Sequence, residues 1–261
     1  MDPVSAADIH LEYAPDLFVD RVDAIMAVHS AVADLAVDRP VDKRAIVFVS
    51  ESGTGKSWLL RHLAETSITP DDRSLVLGNQ LSAEGVHSLY VNLSSWDARP
   101  ENEEVLGTRV RTLLVRISHQ VARWMDVVPT GPLGAGEQAP LEDLSRWLEA
   151  DVRQYVEKSV LVLMLDQVYE SSWALLDWLD RYLLGPLAAI RRVLIVLAGR
   201  GRGYPWKSPD LRLHTERIEL TSFDPEQTRE QLSKQVPAKA ADAMMIWELG
   251  GSRILLPPLL E

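Results

Sequence analysis

Short unbroken apolar runs recur along this chain, and between them apolar side chains return at helical spacing. The runs at 45–49, 160–165 and 193–198 have the length of strands buried on both faces, and the first and last are predicted to start one residue earlier, at 44 and 192. Residues 87–93, His-Ser-Leu-Tyr-Val-Asn-Leu, alternate and are rich in strand formers, and 217–220 read as a short fifth strand. Helical stripes fall at 22–37, with Ile25, Val28, Val32 and Leu35, and at 103–125, with Leu106, Val110, Leu113, Ile117, Val121 and Trp124. Further helices are predicted from the first strand's loop to about residue 66 and at 141–157, 172–188, 225–235 and 238–249, the last ending at Gly250-Gly251. Thr69-Pro70-Asp71-Asp72 is a turn, and the Pro- and Gly-rich stretch 127–140 is a surface loop inside one domain. Strands alternating with helices over 44–220 predict an α/β fold, a parallel sheet of about five strands covered by helices on both faces.

One junction in this pattern carries chemistry. Ser50-Glu51-Ser52-Gly53-Thr54-Gly55-Lys56-Ser57 follows the first strand, and Trp58 opens a helix, which is the strand, glycine loop and helix that a phosphate-binding P-loop requires. Backbone N–H groups of the loop and first helical turn, with the positive end of the helix dipole, cradle phosphates. Lys56 would reach the β- and γ-phosphates and Ser57 would place its hydroxyl on Mg²⁺. Ser50 stands where the pattern has its first glycine, and since Ser tolerates fewer backbone angles, the turn there is expected to differ or carry strain.

The strand at 160–165 ends in Asp166, which a buried strand would hold rigidly for the hydration shell of Mg²⁺; the other reading is an Asp that caps the next helix. Hydrolysis also needs a group to orient and deprotonate water. Gln167 can orient water but is a poor base, and loss of a general base costs about 10²–10⁴-fold in rate. Glu170 could take over if its loop folds back; otherwise it is a charge at a helix N-terminus. Arg200, with Arg202 behind it, follows the fourth strand and could sense a γ-phosphate, or belong to a solvated glycine-rich turn.

Composition narrows the rest. The chain has 261 residues, enough for one large core or one core with a small appendage. It has no cysteine, hence no disulfide or thiolate metal site, which fits a reducing cytoplasmic compartment. Its six histidines show no ligand spacing. A net charge of −11 argues against a nucleic-acid surface spread over the domain, though not against a local basic patch. The first residues have no signal-peptide pattern, and no apolar run approaches the ~20 residues of a membrane span.

With these residues in hand, the chain resembles the STAND branch of P-loop NTPases, signal-transduction ATPases related to AAA+ proteins. Leu17-Phe18-Val19-Asp20-Arg21 looks like the family's Phe-Val-Gly-Arg-Glu element, which implies that Phe18, Val19 and Arg21 lie near an adenine. The P-loop, Asp166 and Arg200 follow in order, and Ile218–Glu226 is similar to the family's strand and helix leading into a helical lid. The departures are Asp20 for the glycine and Val22 for the acid of the first element, Ser50, Gln167 for the usual second acid, and Arg253 for a proline after Gly250-Gly251. The resemblance implies a core at 1–222 with its N-terminal helix, and the start of a lid at 223–261. It also implies ATP or ADP with Mg²⁺, protein partners or further domains, and leaves a homo-oligomer open. Members usually carry an effector domain and a sensor array; this chain shows neither, so it is expected to be part of a larger protein or to work with separate subunits.

The leading expectation is an ATP-binding switch with slow or absent hydrolysis. A degenerate P-loop scaffold that takes no nucleotide, and a DNA-associated AAA+-like ATPase, are the alternatives. Intact Gly55, Lys56, Ser57 and Asp166 favour the switch, Ser50 and Arg253 the scaffold.

Overall fold

The computed structural model describes residues 18–19, 21–37, 39, 42–51, 53–65, 85–93, 103–131, 139–201 and 203–235. Along them run α1 (Val22–Ala36), β1 (Ala45–Val49), α2 (Lys56–Glu65), β2 (Val86–Asn92), α3 (Glu103–Met125), α4 (Leu141–Tyr155), β3 (Val160–Asp166), α5 (Trp173–Leu179), α6 (Gly185–Ala188), β4 (Val193–Gly199), α7 (Pro209–Leu213), β5 (Thr215–Glu219) and α8 (Pro225–Gln235). The strands form one parallel sheet in the order β2-β3-β4-β1-β5, the α/β arrangement expected from the alternation of elements.

Every residue of β1, β3 and β4 is buried, which is why these strands read as unbroken apolar runs. Successive side chains point to opposite faces of a strand. Ala45, Val47 and Val49, with Leu161, Leu163, Leu165, Val193, Ile195 and Leu197, therefore pack against the layer built by α3, α4, α5 and α6. Ile46, Phe48, Val162, Met164, Leu194 and Val196 pack against α1 and α2 on the other side. The outer strands β2 and β5 are half-buried or partly exposed, as edges are.

The register sets the strand ends level. Val49 lies opposite both Gly199 and Glu219, Leu165 opposite Leu197, and Asn92 opposite Asp166. The loop after β1, the turn after β3 and the turn after β4 consequently leave from one edge, the carboxyl edge where parallel α/β sheets bind ligands.

Some boundaries differ from the sequence reading for physical reasons. The helix expected at 172–188 is three pieces, because a π turn at Asp180–Leu184 separates α5 from α6. Asp180 is buried there and its Oδ2 accepts the N–H groups of Lys207 at 2.6 Å and Ser208 at 3.3 Å, which ties the chain ahead of α7 to the turn. Gly185 closes the turn; a Cβ there would stand 2.6 Å from the Asp180 carbonyl oxygen. The short α7 went unpredicted, since it buries only Leu211. β5 starts at Thr215, two residues early, because pairing to β1 begins at Ala45 opposite Thr215. The loop at 127–140 is held at its start by buried Asp151 of α4, whose Oδ1 accepts the Thr130 N–H at 2.8 Å. The turn at 69–72, the helix at 238–249 and Arg253 lie outside the described residues.

Candidate functional site

The loop after β1 turns on two glycines. Gly53 and Gly55 have φ of 80° and 87°, a region open to glycine at no steric cost. Ser50 is not among the described residues with positive φ, so the strain expected there is not what the turn shows. A side chain is accommodated at the glycine position, and its hydroxyl acquires work. Ser50 Oγ bonds the Thr54 hydroxyl and accepts from Lys56 Nζ at 2.9 Å.

Lys56 begins α2 and is only 8% exposed. Its Nζ donates to the Glu51 carbonyl at 2.7 Å, to Ser50 Oγ and to the Ser50 carbonyl at 3.0 Å. An ammonium has three protons, and the loop's own oxygens take all of them. Burial pulls the Lys56 ammonium below the ordinary lysine range; Glu170 opposes that shift, Arg200 adds to it, and Asp166 opposes it. Among the neighbouring loop residues, Glu51 is exposed, Thr54 is buried, and Gly55, Ser57 and Trp58 are half-buried. Ser52 lies outside the described residues.

Asp166 ends β3 and is 1% exposed. Its Oδ1 accepts the Gln167 N–H at 2.8 Å and its Oδ2 accepts the Tyr90 hydroxyl at 2.9 Å. It does not cap the following helix, because α5 is capped by Ser172, whose side chain accepts from the Leu175 N–H at 3.3 Å. Gln167 adopts the left-handed conformation, φ 57° and ψ 35°, and opens a 3₁₀ turn at Val168–Glu170. That reversal folds Glu170 back toward the loop.

Glu170 Oε1 lies 3.3 Å from Arg200 Nε, with the Glu170 side chain 18% and the Arg200 side chain 59% exposed. Glu170 Oε2 is buried and has no hydrogen-bond partner among the described residues. Burial raises the Glu170 carboxyl above the ordinary glutamate range, opposed by Arg200 and Lys56. The turn that carries Glu170 sits tightly on β4. A Cβ at Gly199 would meet Tyr169 Cδ2 at 2.7 Å, its backbone N at 2.8 Å and its Cβ at 2.9 Å, so this close approach requires glycine. Arg202 lies outside the described residues.

The first element packs against the P-loop and α2. Val19 is buried, and the Phe18 ring stacks on His62 at 3.9 Å with planes 5° apart. Arg21 is 9% exposed, donates to the Thr54 carbonyl at 2.7 Å and to the Thr221 carbonyl at 2.9 Å, and lies 4.2 Å from the Phe223 ring centroid. Leu17 and Asp20 are outside the described residues.

No group of three or more His, Cys, Asp and Glu suited to a metal occurs among the described residues. The hard oxygens of Ser57 and Asp166 fit a cation of the Mg²⁺ kind, which is held by one or two carboxylates together with waters and substrate phosphates. Sequence reasoning missed Tyr90, which sits on β2 two residues before the partner of Asp166, a register that only the paired strands reveal. No helix among the described residues is long and apolar enough to cross a membrane.

No protein-family model matches the sequence, and no curated protein matches it. Solved structures do. The chain is similar to the Orc1 protein of Aeropyrum pernix in complex with DNA, with 19% identity and a TM-score of 0.51, over 88% of this chain and 56% of that one. It is also similar to the Cdc6p protein of Pyrobaculum aerophilum, with 15% identity and a TM-score of 0.48, over 85% and 52%. A third is a STAND protein with a tetratricopeptide repeat sensor from Pyrococcus horikoshii, with 12% identity and a TM-score of 0.48, over 91% and 28%. The first likeness carries the fold, a five-stranded parallel sheet covered by helices, and no more than the fold. The chain spans little more than half the length of that structure.

Proposed function

We propose that this chain is an ATP-binding switch of STAND type, with slow or absent hydrolysis, working with partner proteins or further domains. The observation that supports it is convergence: Lys56, Asp166, Glu170 and Arg200 arrive from three different strand ends at one carboxyl edge, around a glycine-turned loop. In this reading the core is 1–222, and α8 belongs to the start of a lid at 223–261.

Lys56 exchanges the oxygens of Ser50 and Glu51 for those of the β- and γ-phosphates. Ser57 and Asp166 would hold Mg²⁺, which when bound neutralises charge on the phosphate oxygens. Glu170 orients water and takes its proton. Arg200, already paired to Glu170 across 3.3 Å, reads the γ-phosphate by the charge that appears beside it.

The scaffold alternative also has an observation in its favour, because the Lys56 ammonium is fully occupied by its own loop. Titration with ATP and ADP, with and without Mg²⁺, decides between them. The switch binds and Lys56→Ala weakens binding about 10- to 150-fold, the value of one charge-assisted hydrogen bond of about 1.5–3 kcal/mol. Undiminished binding by Lys56→Ala puts the site elsewhere, and a parent chain that takes no nucleotide establishes the scaffold. The case against nucleic acid rests on net charge alone, and the shared fold with a protein solved on DNA gives it no support.

Ser50 tunes this exchange. Ser50→Ala removes one of the three acceptors that hold Lys56 while leaving the backbone unchanged. ATP affinity is expected to rise about fivefold, from a hydrogen bond worth about 1 kcal/mol. Equal or lower affinity in the same titration would mean that the hydroxyl does not restrain Lys56.

A further inference from the structure

We infer that Tyr90 is a positioning residue that aims Asp166 at the magnesium of a bound nucleotide, through the hydrogen bond from its hydroxyl to Asp166 Oδ2. The inference rests on the proposed reading of the site and assigns to it a residue from the outer strand.

The geometry is specific. Asp166 is the last residue of β3 and can rotate about its Cα–Cβ bond unless something stops it. Two donors do. The Gln167 N–H takes Oδ1 at 2.8 Å and the Tyr90 hydroxyl takes Oδ2 at 2.9 Å. One donor on each oxygen fixes the plane of the carboxylate, and about two of its four lone-pair sites remain for a cation's hydration shell.

Tyr90 is itself held. Its ring packs against the core formed with α1 and α2, so the hydroxyl is presented from a fixed position. Arg61 of α2 places its guanidinium carbon 5.9 Å from the Tyr90 ring centroid. Arg61 follows Ser57 by four residues, so the two share a face of α2. One helix thus carries the Ser57 hydroxyl toward the cation position and steadies the tyrosine that orients Asp166. A tyrosine serving only the core would need its ring there and not its hydroxyl.

Tyr90→Phe removes that single oxygen. The test is the ratio of ATP dissociation constants in EDTA and in Mg²⁺, measured by calorimetry on the parent and on Tyr90→Phe, with a thermal melt to verify folding. The expected result is Mg²⁺-dependent binding weakened about tenfold, the low end for loss of a residue that orients a metal ligand, with binding in EDTA unchanged. Mg²⁺ titrated at fixed nucleotide should saturate at a correspondingly higher concentration. An unaltered ratio, whether both constants stay put or both weaken together, overturns the role. A parent whose binding ignores Mg²⁺ overturns the reading of the site itself, and that result is visible before any variant is made.

Discussion

Glu170→Gln is expected to reduce whatever ATP turnover the parent shows by about 10²–10⁴-fold, the usual cost of losing a general base. The expectation comes from placement. Glu170 is folded back beside Arg200, is largely shielded from water and keeps one oxygen, Oε2, without a hydrogen-bond partner among the described residues. Gln167, the residue directly after Asp166, spends its backbone on the left-handed turn that makes this possible. Gln167→Ala should therefore change the rate little. Gln167→Glu should raise it, because a carboxylate beside the water can accept a proton that an amide cannot. Single-turnover phosphate release measures all three. A parent that hydrolyses ATP briskly, with neither Gln167→Glu nor Glu170→Gln altering the rate, would remove both residues from the chemistry.

The same carboxyl gives a pH signature. Burial raises the folded Glu170 above the ordinary glutamate range, and a base works only when ionised. Turnover should climb with pH through that raised value, on a limb lying above the usual carboxylate range and missing in Glu170→Gln. The stability effect has the opposite sense. A raised acid contributes stability that is complete below its unfolded pKa and is lost as pH rises through its folded pKa. The parent should lose stability relative to Glu170→Gln across that window, while its turnover grows.

How much of this was legible in sequence depended on range. β1, β3 and β4 could be read because burial on both faces leaves only apolar residues, and the P-loop because its glycines and lysine are adjacent in the chain. The magnesium and capping readings of Asp166 could not be separated from sequence, since the choice turned on Ser172 taking the cap six residues later. Glu170 depended on the left-handed backbone of Gln167, a conformation that glutamine does not advertise. Tyr90 reaches Asp166 only because β2 pairs with β3 in one register, and a register is not written in either strand alone. The π turn at Asp180 answers to the N–H groups of Lys207 and Ser208, more than twenty residues away.

Arg21 is the clearest case of a residue whose type was legible and whose partners were not. The resemblance placed it near an adenine, yet its guanidinium ends on two backbone carbonyls, Thr54 of the P-loop and Thr221 beyond β5, over the Phe223 ring. Its backbone is left-handed, φ 108°, at the start of α1, a conformation a non-glycine residue keeps only when its surroundings impose it. Nearby, the Phe18 carbonyl accepts from Lys234 of α8 at 2.9 Å, so this short stretch joins the loop, the end of the sheet and α8. Arg21→Ala should lower unfolding stability by about 2–3 kcal/mol, since a hydrogen bond from a charged group contributes about 1.5–3 kcal/mol and the buried Thr54 carbonyl loses its donor, while the Thr221 carbonyl can turn to water. ATP affinity should fall as well, because Thr54 is no longer held. Arg21→Lys keeps the charge but not the fork that reaches both carbonyls at once, and should fall between parent and Ala. Urea unfolding and nucleotide titration on the same samples separate the two roles. A loss of affinity with stability intact would return Arg21 to the adenine, and a loss of stability in both variants, graded Ala beyond Lys, makes it the clamp between the P-loop and the segment after β5.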